Sequence, residues 1–371
     1  MRVARLCQYF YGMDSIESGL MPYFYNIVRE LGKRGVENIV ITPEADSGDV
    51  DGTQVRRIPA KGRLTLLRQG IDAYKNISGL KDAIDIIHTH MHGFFYLYHY
   101  KGRLGKPMVH TIHGTAFSYK YQPMRQSASR DTLYSYLFNR YACKSADAIV
   151  TVSSEERENV INSFGVDRYK VNYIPTAVDT ARFRPLKMDK DIDVLYVGRF
   201  ARKKAVPVLL KAAASVKKGK SLKICLVGGN KGDDDYNSIM GMIRKYGLSN
   251  VEIIAAVNHQ KLAEYYNRAK VFVLPSYHEG MPKVLLEAMA CGVPVVATNV
   301  CGNRDVVDER AGFLVKAGDP QNLAHKIKEL LEDDGLRSRM GREGRRRVER
   351  RFTWDKIAEE HIKLYRSVCE Q

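Results

Sequence analysis

The feature that most narrows the fold is a rhythm. Short apolar, β-rich runs alternate with stretches of helical spacing over nearly the whole chain. RVARLCQ, NIVIT, DIIHTH, PMVHTIH, DAIVTVS and VNYIP read as strands of the first half. Between them, LMPYFYNIVRELGKRG carries apolar residues at helical spacing and stops at Gly35. Residues 129–145 and 154–164 also read as helices. Near residue 175 the rhythm breaks, because IPTAVDTARFRPLKMDKD has two prolines and no clean period, as a linker would. It then restarts with the strands DVLYVG, LKICLVG, VEIIA, VFVLP and VPVVAT, and with helices near 204–217, 235–247, 259–268 and 282–291. Three helical stretches close the chain. Repeated alternation of this kind predicts parallel sheets covered by helices on both faces. Two such runs predict two doubly wound α/β domains, whose ligands bind beyond the C-terminal ends of the strands, with a natural site in the cleft between domains. A length of 371 residues suits two domains.

Composition bounds the class. The apolar fraction is 44%, and no uninterrupted apolar run is long enough to span a bilayer. The start MRVARLCQYFYGMDS lacks an apolar stretch followed by a small-residue cleavage site, so a cytoplasmic protein is expected. The six cysteines are scattered without C-x-x-C pairs, which favours buried thiols over a zinc site or a disulfide scaffold. The net charge of +17 predicts an anionic partner: nucleotide phosphates, an anionic membrane or nucleic acid. Arg56, Arg57, Lys61, Arg63 and Arg68 come with no acid among them, and Lys101 to Lys144 holds eight basic residues against Asp131 alone. GREGRRRVERR, residues 341–351, reads as a solvated helix face.

The stretch VFVLPSYHEGMPKVLLEAMACGVPVVAT carries the chemistry. A buried strand over 271–274 ends at Pro275, a polar loop follows, and Pro282 sits at the expected first helical position. Gly292 and Pro294 stop the helix. Glu279 then lies at the strand's C-terminal edge and Glu287 near the helix's second turn, where both can face one crevice. Carboxylates placed so accept from paired hydroxyls, as acidic residues do with ribose in dinucleotide folds.

This stretch resembles the E-x7-E signature of retaining glycosyltransferases of family 4, which have the GT-B fold. VGRFARKKAVPVLLKA, IPTAVDTARFRP, AEYYNRAKVFVLPS, SGLMPYFYNIVRELGKRG and RFTWDKIAEEHIKLY resemble other motifs of that family, so the likeness covers nearly the full chain and is densest from 194 to 300. It implies an acceptor-binding Rossmann-like domain over 1–175, a linker over 176–190 and a nucleotide-sugar-binding Rossmann-like domain over 191–352. It also implies a terminal helix, 353–371, that crosses back to the first domain. The implied activity is metal-independent, retaining transfer of a hexose from a nucleoside diphosphate sugar, serving as co-substrate with no cofactor, to a hydroxyl. By the resemblance, Glu287 accepts from the ribose and Glu279 from the transferred sugar. The N–H groups of Gly280 and Met281 face the phosphates, and Arg199 and Lys204, after Gly198, neutralise the diphosphate as charge builds on it. Gly19 lets the backbone approach donor or acceptor closely, and His113 bonds the sugar, often near its C6 hydroxyl. The mechanism implied is front-face attack, in which the leaving diphosphate oxygen takes the acceptor proton and no protein base is named. Domain closure would bring Gly19 and His113 against the donor and exclude water.

Several positions depart from the family pattern. Pro282 and Ala205 replace glycines, Lys283 replaces an apolar residue, Thr176-Ala177 replaces Asn-Gly, and Ser18 replaces the first glycine of a pair. His88, His90, His92, His110 and His113 lack zinc spacing and a third carboxylate ligand, so hydroxyl binding or packing is the better reading, with no metal expected. VGGNKGDDDY lacks the G-K-[ST] ending of a phosphate-binding P-loop and is expected to border the base or diphosphate. Basic residues mixed with aromatics in FFYLYHYKGRLGK and FSYKYQPMRQ suit a membrane interface. They predict an enzyme peripheral on the inner face of the membrane, acting on a lipid-linked or surface glycan precursor. Two rival classes are a nucleotide-sugar epimerase on the same fold and a nucleic-acid binder. The second lacks a recognisable binding module, and nucleic acid is not an expected partner.

Overall fold

The structure is a computed structural model. It describes residues 1–10, 21–45, 49–59, 65–90, 92–113, 130–216, 222–233, 235–255 and 257–371. The chain divides into two compact units, Met1–Thr176 with Trp354–Gln371, and Ala177–Thr353.

In the first unit the sheet order is Val171–Tyr173, Ala148–Thr151, Met108–Ile112, Ile86–His90, Arg2–Leu6, Glu37–Thr42, Thr53–Arg57, Asp49–Val50. All pairs are parallel except the last, an antiparallel edge turn that the apolar rhythm does not signal. The chain winds outward from Arg2–Leu6 in one direction, then restarts on its other side with Ile86–His90. That reversal makes the space past Leu6 and His90 a topological switch point. The helix Met21–Gly32 packs on the closing helix Trp354–Cys369, with Tyr23 against Trp354 at 5.7 Å between ring centroids. The central strands are buried, yet they carry Arg5, His88, Thr89, His90, His110 and Thr111 as well as aliphatic residues.

In the second unit six parallel strands run in the order Val251–Ile254, Ile224–Val227, Ile192–Val197, Ala269–Leu274, Val295–Thr298, Gly312–Val315. Numbered along the chain this is 3-2-1-4-5-6, the dinucleotide-binding order, with its switch point between Ile192–Val197 and Ala269–Leu274. The stretch read as a linker, 176–190, is largely anchored here. Val178 donates to Phe352 O at 2.9 Å, Leu186 donates to Asn267 Oδ1 at 2.7 Å, and Phe183 is fully buried in the core. Two prolines hide this packing from a periodicity argument.

The basic helix Asp334–Arg351 also differs from expectation. Arg345 donates to Phe183 O at 2.7 Å and to Ala290 O at 2.8 Å, and Arg347 donates to Val306 O at 2.6 Å and Asp308 at 2.8 Å. These two arginines therefore bind the unit together instead of facing solvent, because long stems bury while their heads reach backbone acceptors. Of the cysteines, five are buried and Cys369 is exposed.

Candidate active site

The second unit's switch point assembles from two loops. Strand Ile192–Val197 ends at Gly198, whose φ of +152° turns the chain sharply. A Cβ on Gly228 would lie 3.1 Å from Gly198 O, so the loops after the first two strands meet through glycine backbone. Asp233 fastens them, accepting from Phe200 N at 2.8 Å and Asn230 N at 3.1 Å. Tyr196, buried below, donates to Arg199 O at 2.9 Å. Arg199 is left exposed, and among the described residues its side chain makes no hydrogen bond or ion pair.

Lys204 closes a short 3-10 turn, Arg202–Lys204, and the helix begins only at Val206. The expectation that Lys204 opens the helix is corrected by Ala205, which takes the left-handed conformation, φ +51°, that the family's glycine would adopt more cheaply. The turn aims Lys204 across the switch point. Its Nζ lies 2.7 Å from Glu279 Oε1, and Lys203 O accepts from Tyr277 N at 2.8 Å.

Glu279 is 8% exposed. Its Oε1 also accepts from Ser276 Oγ at 2.6 Å, while Oε2 makes no hydrogen bond among the described residues. Burial alone would raise this carboxyl, but Lys204, Ser276 and Lys203 outweigh it and hold Glu279 below its ordinary value. Glu279 O in turn accepts from Gly302 N at 3.2 Å, and a Cβ on Gly302 would stand 2.1 Å from Gly280 O. The 279–281 backbone is thus seated on the start of the helix Cys301–Val306, with Gly280 and Met281 just before Pro282.

Pro282 is in extended conformation as the cap residue, and the helix is Lys283–Ala290. Proline at the first helical position is therefore off by one residue. Glu287, 4% exposed, accepts from the buried Tyr266 hydroxyl at 2.8 Å. Burial, then the Glu287 charge, push the Tyr266 phenol well up. Burial pulls Lys283 down to about 8 against the opposing pull of Glu287.

The geometry brings Lys204 and Glu279 into contact and leaves Arg199 in the same electrostatic neighbourhood. After burial, the Tyr196 hydroxyl feels Glu279 and Asp233, with Arg199 opposing. Glu287 sits on the adjoining helix against Tyr266. His113 belongs to the first unit, at the end of Met108–Ile112, with its Nε2 3.1 Å from His90 Nδ1 and its ring 4.9 Å from Tyr23. Gly19 and Ser18 lie outside the described residues. Sequence reasoning missed Ser276, Tyr266 and Asp233, and it missed Arg5, visible as a charge inside the first apolar run. Among the described residues no three His, Cys, Asp or Glu groups are disposed to hold a metal ion.

Comparison with known proteins agrees with this architecture. The model for Glycosyltransferase Family 4 matches residues 18–182, and that for Glycosyl transferases group 1 matches residues 178–347. D-inositol 3-phosphate glycosyltransferase of Kineococcus radiotolerans is 27% identical over 95% of this chain and 91% of its own. Sucrose-phosphate synthase of Thermosynechococcus elongatus aligns with a TM-score of 0.82 at 25% identity, over 99% of this chain and 98% of that one. Anabaena HepE, solved with UDP and glucose, aligns at 0.80 and 18% identity over 99% of this chain and 100% of that one. Two family models that meet near residue 180 and together run from 18 to 347, on two Rossmann-like sheets, make this chain a glycosyltransferase of family 4, group 1, with the GT-B fold.

Proposed function

We propose that the enzyme transfers a hexose from a nucleoside diphosphate sugar, a UDP-sugar first among them, to a hydroxyl acceptor with retention of anomeric configuration. The observation that carries this reading is the Lys204–Glu279 pair at the second unit's switch point, beside the exposed Arg199. Glu279 Oε2 accepts from the sugar hydroxyls. Lys204 has two N–H bonds left for diphosphate oxygens, and Arg199 supplies a fork for the same group. Glu287, steadied by Tyr266, accepts from the ribose. The bond from the anomeric carbon to the diphosphate breaks as the bond to the acceptor oxygen forms, and the acceptor proton passes to the departing diphosphate oxygen. Two fixed cations do there what a divalent ion would otherwise do, so chelator should leave the rate unchanged. HepE, bound to UDP and glucose on the same fold, supports the choice of UDP.

Thermal denaturation with UDP, GDP and ADP tests the donor half. A nucleotide at a hundred times its Kd stabilises by about 2.7 kcal/mol, roughly 5–10 °C for a unit of this size. Glu287→Ala should abolish that shift, whereas Glu279→Ala should keep most of it and slow transfer. Equal, negligible effects of the two substitutions would remove both assignments.

For the acceptor, the first unit offers a basic surface. Its helix Arg130–Ser145 exposes Leu133, Tyr134, Leu137 and Tyr141 beside Arg140 and Lys144, while Phe138 stacks on Phe95 at 3.8 Å. Exposed apolar and aromatic side chains beside cations suit docking on an anionic leaflet, and hence a lipid-linked acceptor. No helix among the described residues is long and apolar enough to cross a membrane. Co-sedimentation with phosphatidylglycerol vesicles should weaken about tenfold or more in Leu133→Glu/Leu137→Glu, and in wild type at high salt. A second reading, a soluble phosphorylated polyol as acceptor, is favoured by the inositol 3-phosphate relatives. Binding indifferent to salt and to both substitutions would select it.

A further inference from the structure

We propose that His90, held by the buried cation of Arg5, is a positioning residue that fixes His113 as a neutral imidazole with its proton on Nδ1. The proposal rests on reading His113 as a side chain that meets the transferred sugar, and it specifies how: as a donor to a hydroxyl oxygen.

The argument starts from the charge. Arg5 stands in the central strand of the first unit and is 0% exposed. Among the described residues it has no carboxylate partner. A bare buried charge is costly, so every N–H should find a lone pair. Nε donates to Asn38 Oδ1 at 3.0 Å, Nη2 to Tyr365 Oη at 2.8 Å, and Nη1 to His90 Nε2 at 2.7 Å, with His88 Nδ1 further off at 3.4 Å.

A guanidinium has donors and no acceptor. His90 Nε2 must therefore accept, and the single proton of its neutral ring lies on Nδ1. That N–H points to His113 Nε2 at 3.1 Å, which must accept in turn. The proton of His113 is then on Nδ1. The parallel branch closes consistently. Tyr365 accepts from Arg5 and donates to His88 Nδ1 at 2.6 Å, leaving His88 Nε2–H for Thr111 Oγ1 at 2.7 Å. A second proton on His90 would set a donor against the guanidinium, and a second proton on His113 would set one against His90.

Among the described residues, aromatic rings and imidazoles pack around His113. The helix Met21–Gly32 contributes Tyr23 and Phe24, with ring centroids at 4.9 and 5.7 Å, and the closing helix contributes His361, 3.4 Å from the Tyr23 hydroxyl. His90, His88 and Arg5 stand behind. Burial, and then the neighbouring His88 and Arg5, hold His90 well below the ordinary imidazole range, in line with the neutral chain of bonds.

The test uses the full-length protein with ring-labelled histidine and long-range nitrogen–proton correlation spectra. His113 is expected with Nδ1 protonated and Nε2 bare, unchanged from pH 8 to about 5, below the ordinary range near 6.5. In His90→Phe the lock is lost: His113 titrates near the ordinary value, and transfer falls about tenfold, chiefly in kcat, with a further fall on acidification. His90→Asn, whose amide N–H still reaches His113, restores the Nδ1 tautomer and most of the rate. The stabilisation by UDP is the same in all three. A proton on His113 Nε2 in the wild type, or an unaltered pH profile in His90→Phe, overturns the proposal. A wild-type protein with the lock intact and no transferase activity overturns the donor reading and leaves the lock standing.

Discussion

Lys204→Met is expected to slow transfer by about a hundredfold to a thousandfold, the usual result of removing one preorganised donor from a developing negative charge. It should also lower stability, for a separate reason. Glu279 is buried, and Lys204 is the main influence holding its carboxylate charged against burial. Breaking a buried pair from one side strands the other charge, at a cost of about 3–5 kcal/mol. With side chains 20% and 10% exposed, the lower end applies. The pair's contribution should be full above the unfolded carboxyl value of about 4.5 and lost as pH falls through the lowered folded value. Lys204→Met/Glu279→Gln separates the two effects. Ser276 can still donate to the amide oxygen, so stability returns while activity does not. Urea unfolding and kcat/KM on the three proteins check this. A single variant with near-normal kcat would take Lys204 away from the diphosphate, and a double variant no more stable than the single would deny the coupling.

What could be read from the sequence was local. The strands announce themselves as apolar runs, and the loop from Pro275 to Pro282 is a contiguous strand–loop–helix passage whose boundaries are marked by prolines and glycines. The two Rossmann-like sheets follow from that alternation. The partners that tune the site come from elsewhere in the chain. Tyr266 reaches Glu287 across 21 residues, Asp233 reaches Phe200 across 33, and Arg5 reaches His90 across 85. No spacing rule encodes such pairs. The charged helix misleads for a related reason, because periodicity sees the charge of Arg345 and Arg347 and not the carbonyl groups of Phe183, Ala290 and Val306 waiting under their stems. Lys204 and Pro282 each precede their helices by a residue or two, because the left-handed turn at Ala205 and the extended cap at Pro282 shift where the helices begin.

Acidification should destabilise the first unit steeply over a narrow range. His88, His90 and His361 are all fully buried. Burial, the first cause in each case, and the charge of Arg5 hold His88 and His90 well below the ordinary imidazole value and His361 at about 4. In the unfolded chain each would titrate near 6.5. Below about 6.5 the unfolded state therefore binds protons that the folded state refuses, so stability is full above that value and falls with pH. With three such groups the steepest slope is about 4 kcal/mol per pH unit, against a total of about 5–15 kcal/mol for a domain. Between pH 6.5 and 5 the three groups therefore remove about 6 kcal/mol, so stability is expected to fall steeply there, well before carboxylates protonate. His361→Phe should flatten the slope by one proton, about 1.4 kcal/mol per pH unit, although it forfeits the bond from Nδ1–H to Ile357 O at 2.8 Å and starts from lower stability. Urea unfolding between pH 5 and 8, followed by ring signals of Trp354, measures both slopes, since this tryptophan lies against Tyr23 beside the cluster. A stability that stays level from pH 7.5 to 5 would mean that the three rings already carry their protons in the fold. The lone-pair accounting around Arg5 would then fail with it, because a guanidinium and a protonated imidazole cannot share the bond that joins Arg5 to His90.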